Sequence, residues 1–198
     1  MRLRGLVPWS GLGLLSGVLE PVSGNIHFTD NEICRIESQD FAAQIRSLLK
    51  DEKEYGVCLV DIGAGITNLA VYLDGRLALA RTLQRGGEHV TRDIAAVLQT
   101  TTEEAERIKI LHGCVDLSAV KPDHMIQVEG IDGPQTISRI ELSEIIIARY
   151  EEIFSQIRDE LEQSGAIHGL YHGVVLTGDA CQIEGMVSLA RRMLGVSA

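Results

Sequence analysis

Apolar positions along this chain fall into blocks whose spacing predicts the elements. Residues 57–60 (Val-Cys-Leu-Val) are a continuous apolar run, the pattern of a strand covered on both faces. That run delivers Asp61 at its end, Gly63 and Gly65 flank a turn, and a second apolar run occupies 67–72. Asp74-Gly75 is a two-residue hairpin signal, so a third antiparallel strand is expected over 76–83. Ahead of this unit, Phe41, Ile45, Leu48 and Leu49 share one face of a helix predicted over 40–49. The charged run 50–54 reads as a solvated loop, and residues 25–36 as room for a short strand.

Beyond the three strands the period becomes helical. A helix is predicted from Glu88 to about Leu98, with Val90, Ile94 and Val97 turned inward. Thr101-Thr102 caps the next one, which has Glu103 and Glu104 in its first turn, Arg107 and Lys109 near its end, and a stop around His112-Gly113. Residues 125–129 alternate like a half-exposed strand, residues 130–133 turn, and a second short strand follows. The longest helix is expected over 141–163. Its stripe of Leu142, Ile145, Ile146, Tyr150, Ile153, Phe154, Ile157 and Leu161 reads as core packing. Gly165 ends it; residues 173–177 form a buried strand, and Gly178 leads into a helix starting near Cys181. The whole predicts an α/β fold with a mixed sheet and a smaller inserted α/β part.

Composition narrows the function classes. With 198 residues, 45% of them hydrophobic and 23% charged, the chain is long enough for one sizeable globular domain or two small ones. A net charge of −10 leaves no basic stripe to neutralise phosphodiesters, which argues against nucleic acid as partner. Four scattered cysteines and six scattered histidines show neither disulfide nor metal-ligand spacing. The first twenty residues resemble a poor signal peptide broken by Pro8 and glycines, and no run of apolar residues is long enough to cross a bilayer.

The chemistry concentrates in GVCLVDIGAGITNLAVY, residues 56–72. A Gly-x-Gly turn between strands is compatible with an ordinary hairpin. It is also compatible with a phosphate cradle, because glycines let backbone N–H groups close around an anion. Asp61 beside it is the kind of group that holds Mg²⁺ through water.

Four blocks in order carry a resemblance: VDIGAGITN at 60–68, GGEHVTRDIAAVL at 86–98, EEAERIKILHG at 103–113 and VVLTGDACQIEGM at 174–186. The first and last resemble the second phosphate loop and the adenosine loop of the actin-like ATPase superfamily. Together the four are similar to the bacterial cell-division family FtsA over roughly residues 47–198; pilus-assembly ATPases of the PilM type are the alternative. The resemblance implies an actin-like (ribonuclease H-like) lobe, with residues 47–87 and 171–198 as subdomain IIA, 88–170 as subdomain IIB, and 1–46 an unassigned leader. It implies ATP with Mg²⁺ as ligand. Gly63, Ala64, Gly65, Ile66 and Thr67 would meet the phosphates, with Asp61 on the metal side and Gly86 and Gly87 alongside. Glu106 and Lys109 would meet ribose and adenine, the alternative for that pair being an ordinary exposed ion pair. Gly178, Asp179 and Ile183 would back the adenosine. Arg149 and Glu152 lie where the family binds the FtsZ C-terminal tail.

Three departures from the family's DIGGGTTD loop stand at Ala64, Ile66 and Asn68, and Asp179 replaces a glycine in the adenosine loop. Residues 1–46 carry neither the family's first phosphate loop nor its first domain, and its C-terminal membrane helix is not found before Ala198. The resemblance therefore implies a second-half fragment. Its expected role is to link FtsZ filaments to the cytoplasmic face of the membrane and to self-associate, with ATP binding weakened or lost and no hydrolysis.

Overall fold

The computed structural model describes residues 39–195. The expectations for the first twenty residues and for 25–36 lie outside that range. Two short helices open the described chain, α1 (Gln39–Ser47) and α2 (Lys50–Tyr55). Three strands follow: β1 (Val57–Ile62), β2 (Thr67–Leu73) and β3 (Arg76–Leu83). Next come α3 (Gly87–Val97), α4 (Thr102–His112), the hairpin β4 (Met125–Gly130) and β5 (Gly133–Ser138), and the long helix α5 (Arg139–Gln163). The chain returns through β6 (Val174–Thr177), a 3₁₀ turn at Asp179–Cys181 and α6 (Met186–Leu194).

The main sheet runs β3-β2-β1-β6, with β6 parallel to β1 and the other pairs antiparallel. All six residues of β1 are buried, as its unbroken apolar run predicted. Alternation sorts the side chains onto two faces. Val57 and Leu59 join Ala70, Tyr72, Leu77 and Ala80 under α1, whose Phe41 and Ile45 are fully buried. Cys58, Val60 and Ile62 join Leu69, Val71 and Leu79 in the larger core, with α3, α4, α5, α6 and the β4–β5 hairpin. Leu77 and Ala80 reach one face although three residues apart. The register shifts between Val71 and Tyr72, leaving Ala78 as the extra residue of a bulge.

Several expectations are corrected. Residues 50–54 are not a loop but most of α2, its start tied by the Leu49 N–H donating to Glu52 Oε2 at 2.6 Å. A charged run can be helical where the helix lies exposed and a capping contact sets its start. Leu49 is 65% exposed and Val97 60% exposed; each sits at a helix end, past the contact with the sheet, and Leu98 is buried where Val97 was expected. No helix starts near Cys181: the 3₁₀ turn intervenes and α6 begins at Met186. The Thr101 cap is present, its hydroxyl accepting from Glu104 N at 3.2 Å. The α5 stripe is buried apart from Ile145, which is half-buried.

Candidate functional site

β1 and β6 run parallel and end together, Asp61 facing Thr177 in the register. An open cleft of about 1460 Å³ lies at these carboxyl ends, the edge where open α/β sheets receive ligands. Its walls are the β1–β2 turn, the start of α3, the exposed side of α4 and the 178–184 segment.

The β1–β2 turn is built to leave its tip bare. Gly63 N–H closes it on Ile66 O at 2.9 Å. The carbonyls of Gly63 and Ala64 accept from Gly87 N–H (2.9 Å) and Glu88 N–H (2.7 Å) at the head of α3. Thr67 is fully buried and donates its hydroxyl to Arg85 O at 2.8 Å, so it braces the loop rather than facing the cleft. With carbonyls turned back to α3, the N–H groups of Ala64, Gly65 and Ile66 have no acceptor among the described residues, and Ala64 and Ile66 are exposed. A short run of such N–H groups is a concavity for an anion.

Two glycines make the close approaches possible. A Cβ on Gly86 would stand 2.5 Å from Gly63 O and 2.6 Å from Ala64 O, so only glycine lets α3 dock on the turn. Gly178 has φ +91°, and a Cβ there would lie 2.4 Å from Ile62 O and 2.6 Å from Asp61 Oδ1. The chain after β6 thus passes directly against Asp61.

Glu106 and Lys109 are brought together, and not as an exposed pair. Lys109 is 8% exposed. Its Nζ meets Glu106 Oε2 at 2.6 Å and donates to Thr91 Oγ1 at 2.8 Å and Gly87 O at 3.1 Å. Thr91 Oγ1 lies 2.5 Å from Glu106 Oε2. Desolvation pushes the Glu106 pKa up, but the hydrogen bonds from Lys109 and Thr91 and the Lys109 charge outweigh it and hold the carboxyl below its ordinary 4.5. The ammonium is saturated by protein, and the Glu106 carboxylate, 44% exposed, is what the pair presents to the cleft.

Opposite, Asp179 is exposed at the start of the 3₁₀ turn, and Ile183 is half-buried against the core while lining the cleft. Tyr150 donates its hydroxyl to Ala180 O at 2.7 Å, tying this wall to α5; burial raises its pKa. Cys181 donates to Thr177 O at 3.0 Å, and burial, with Asp61 adding to it, pushes its thiol up to about 12, so it is no nucleophile. Sequence reasoning passed over Thr91 and read Tyr150 only as core packing. Each was detectable as a polar group among apolar neighbours at helical spacing, which needs a partner when buried.

Arg149 and Glu152 lie away from the cleft, in a charge network across α3 and α5. Arg149 grips Asp93 with two bonds of 2.6 and 2.9 Å and also pairs with Glu152, which meets Arg85 at 3.4 Å.

The family model for cell division protein FtsA matches residues 58–198. The chain belongs to the FtsA family. FtsA of Escherichia coli (strain K12) is 39% identical over 161 residues, 77% of this chain and 38% of that protein. FtsA of Bacillus subtilis (strain 168) is 41% identical over 165 residues, 82% of this chain and 37% of the relative. The chain thus spans less than two fifths of the length of these FtsA relatives. Among solved structures, MreB 5 of Spiroplasma citri bound to AMPPNP superposes with a TM-score of 0.65 at 19% identity, over 75% of this chain and 49% of that one. At that identity the likeness speaks for the actin-like fold alone.

Proposed function

We propose that this FtsA-family chain binds a nucleoside triphosphate with Mg²⁺ in the cleft and takes part in linking FtsZ filaments to the membrane during division. The observation that carries the nucleotide reading is the bare tip of the β1–β2 turn, with the Ala64, Gly65 and Ile66 N–H groups unpartnered beside Asp61. Those groups take the phosphates, while Gly86 and Gly87 hold the turn in place. Asp61 sits on the metal side, where the bound cation would offset phosphate charge. Lys109 orients Glu106 toward the ribose hydroxyls, and Gly178, Asp179 and Ile183 back the base. Residues 47–87 with 171–198 serve as subdomain IIA and 88–170 as subdomain IIB.

The cleft's own charges favour a metal-accompanied ligand. Carboxylates of Asp61, Glu88, Glu106, Asp179 and Glu184 line it, and its two cations, Lys109 and Arg139, are each already paired with a carboxylate. A polyphosphate arriving without a cation meets net repulsion. For the filament partner, the surface is the α3–α5 network: a docking FtsZ tail exchanges with Asp93 for Arg149. Self-association of FtsA-like subunits completes the reading. No described helix is long and apolar enough to cross a membrane.

Calorimetric titration tests both halves. Mg-ATP should bind, and Ala64→Pro, which removes one of the three N–H groups, should weaken it. An FtsZ C-terminal peptide should bind separately and lose affinity with Arg149→Ala. No heat with Mg-ATP would sink the nucleotide reading; a peptide affinity unchanged by Arg149→Ala would remove Arg149 from the partner site.

A further inference from the structure

The head of α3 spends all of its free N–H groups inside the protein. A helix leaves its first four N–H groups without an acceptor of its own. In α3, those of Gly87 and Glu88 go to the carbonyls of Gly63 and Ala64, and that of His89 goes to Gly86 O at 3.0 Å. The fourth, Gly86 N–H, donates to His89 Nδ1 at 3.2 Å. Residue 86 cannot carry a capping side chain of its own, since a Cβ there would strike the turn carbonyls. His89 stands in for it, reaching back from the third helical position as the partner residue of a capping box does. Gly86 and Gly87 are buried and His89 is half-buried, so little water competes for that bond.

This arrangement decides where the β1–β2 turn points its N–H groups. A trans peptide is planar, and its C=O and N–H point opposite ways. Gly63 O shares one peptide with Ala64 N–H, and Ala64 O shares the next with Gly65 N–H. Drawing both carbonyls onto α3 therefore turns two of the three bare N–H groups away from it, to the side on which Ala64 is exposed. The aim of the turn is only as firm as the helix head that holds it.

We propose that His89 is a positioning residue for the phosphates: by taking the Gly86 N–H it fixes the helix head that aims the Ala64 and Gly65 N–H groups. The inference rests on the nucleotide reading above and adds a side chain that is not among the described residues lining the cleft. The role requires an acceptor at one atom. Nδ1 supplies it with the ring proton on Nε2. Leucine offers bulk without an acceptor, whereas glutamine carries an amide oxygen suited to the same capping position.

The test compares the affinity of the full chain for Mg-ATP and for AMP, in wild type, His89→Leu, His89→Gln and His89→Ala, with melting curves for each. AMP shares the base and ribose but lacks the outer phosphates. His89→Leu should lose about fivefold in Mg-ATP affinity, the scale of a missing helix cap, and leave AMP unchanged. His89→Gln should restore the wild-type ratio of the two ligands. Should the Leu variant fail to fold, His89→Ala, which adds no bulk and also lacks an acceptor, takes its place. Equal losses for ATP and AMP would mean that His89 supports the whole cleft and would overturn the proposal. So would a Gln variant as weak as Leu, or a Leu variant equal to wild type, both of which leave the nucleotide reading standing. A wild type that binds no ATP overturns both.

Discussion

At the scale of single residues, Lys109 shows how far a buried charge can be committed. Its three ammonium protons meet Glu106, Thr91 and Gly87 O, so one side chain joins α4 to the head of α3. Removing it leaves those acceptors unmatched in a mostly dry place. Lys109→Met should lower stability by about 1–3 kcal/mol in urea unfolding. Adding Glu106→Gln should restore part of that, because the stranded carboxylate goes with it; full additivity of the two losses would show that they do not interact. The spacing of 106 and 109 already placed the pair on one helical face. Which of the two would be buried was not legible, since that depends on α3 arriving over Lys109, with Thr91 and Gly87 lying 18 and 22 residues upstream. Asp61, Gly63 and Gly65 were legible because strand, acid and turn are contiguous.

Elements were read best where the pattern was local. The three strands of the β1–β3 unit follow from apolar runs and the Asp74-Gly75 turn, and the α4 cap from Thr101. Errors fell at helix ends and in the charged run, where packing and capping override composition. One junction between elements carries a pH dependence. His112 at the end of α4 lies edge-on to His124, 6.0 Å between ring centres, just before β4. Arg139 at the head of α5 donates to His112 O at 2.9 Å and pairs with Glu184, while Arg107 adds a second guanidinium from α4 itself. Burial first, then the charges of His124, Arg107 and Arg139, hold His112 below its ordinary 6.5. With the folded value depressed, the unfolded chain takes up the proton first. The stability is therefore complete above 6.5 and is lost as pH falls through the lowered value. Urea midpoints should drop between pH 7.5 and pH 5.5, and His112→Gln should flatten the drop; an unchanged slope in that variant would assign the effect elsewhere.

At the scale of the molecule, two apolar layers sandwich the main sheet, and they are unequal. The larger core engages α3 to α6, whereas among the described elements α1 alone supplies buried apolar side chains to the other face. Phe41 and Ile45 are the fully buried members of that cover. Phe41→Ala should cost about 3–5 kcal/mol and raise dye binding to exposed apolar surface. A loss below 1 kcal/mol would mean that α1 contributes little to holding this face.

The parallel pairing of β1 with β6 has a kinetic consequence. Asp61 and Thr177 stand side by side, yet more than a hundred residues separate them along the chain. Closing so long a loop carries an entropic cost that local hairpins do not, and contacts of that separation form slowly. The β1–β2–β3 meander can assemble from neighbours alone, so the bare turn and its acid come together early. The wall beyond β6 arrives only when the segment from Val174 onward has docked. Ligand capture thus reports the last long-range event of folding, and in a refolding experiment it should lag behind the recovery of sheet and helix signal.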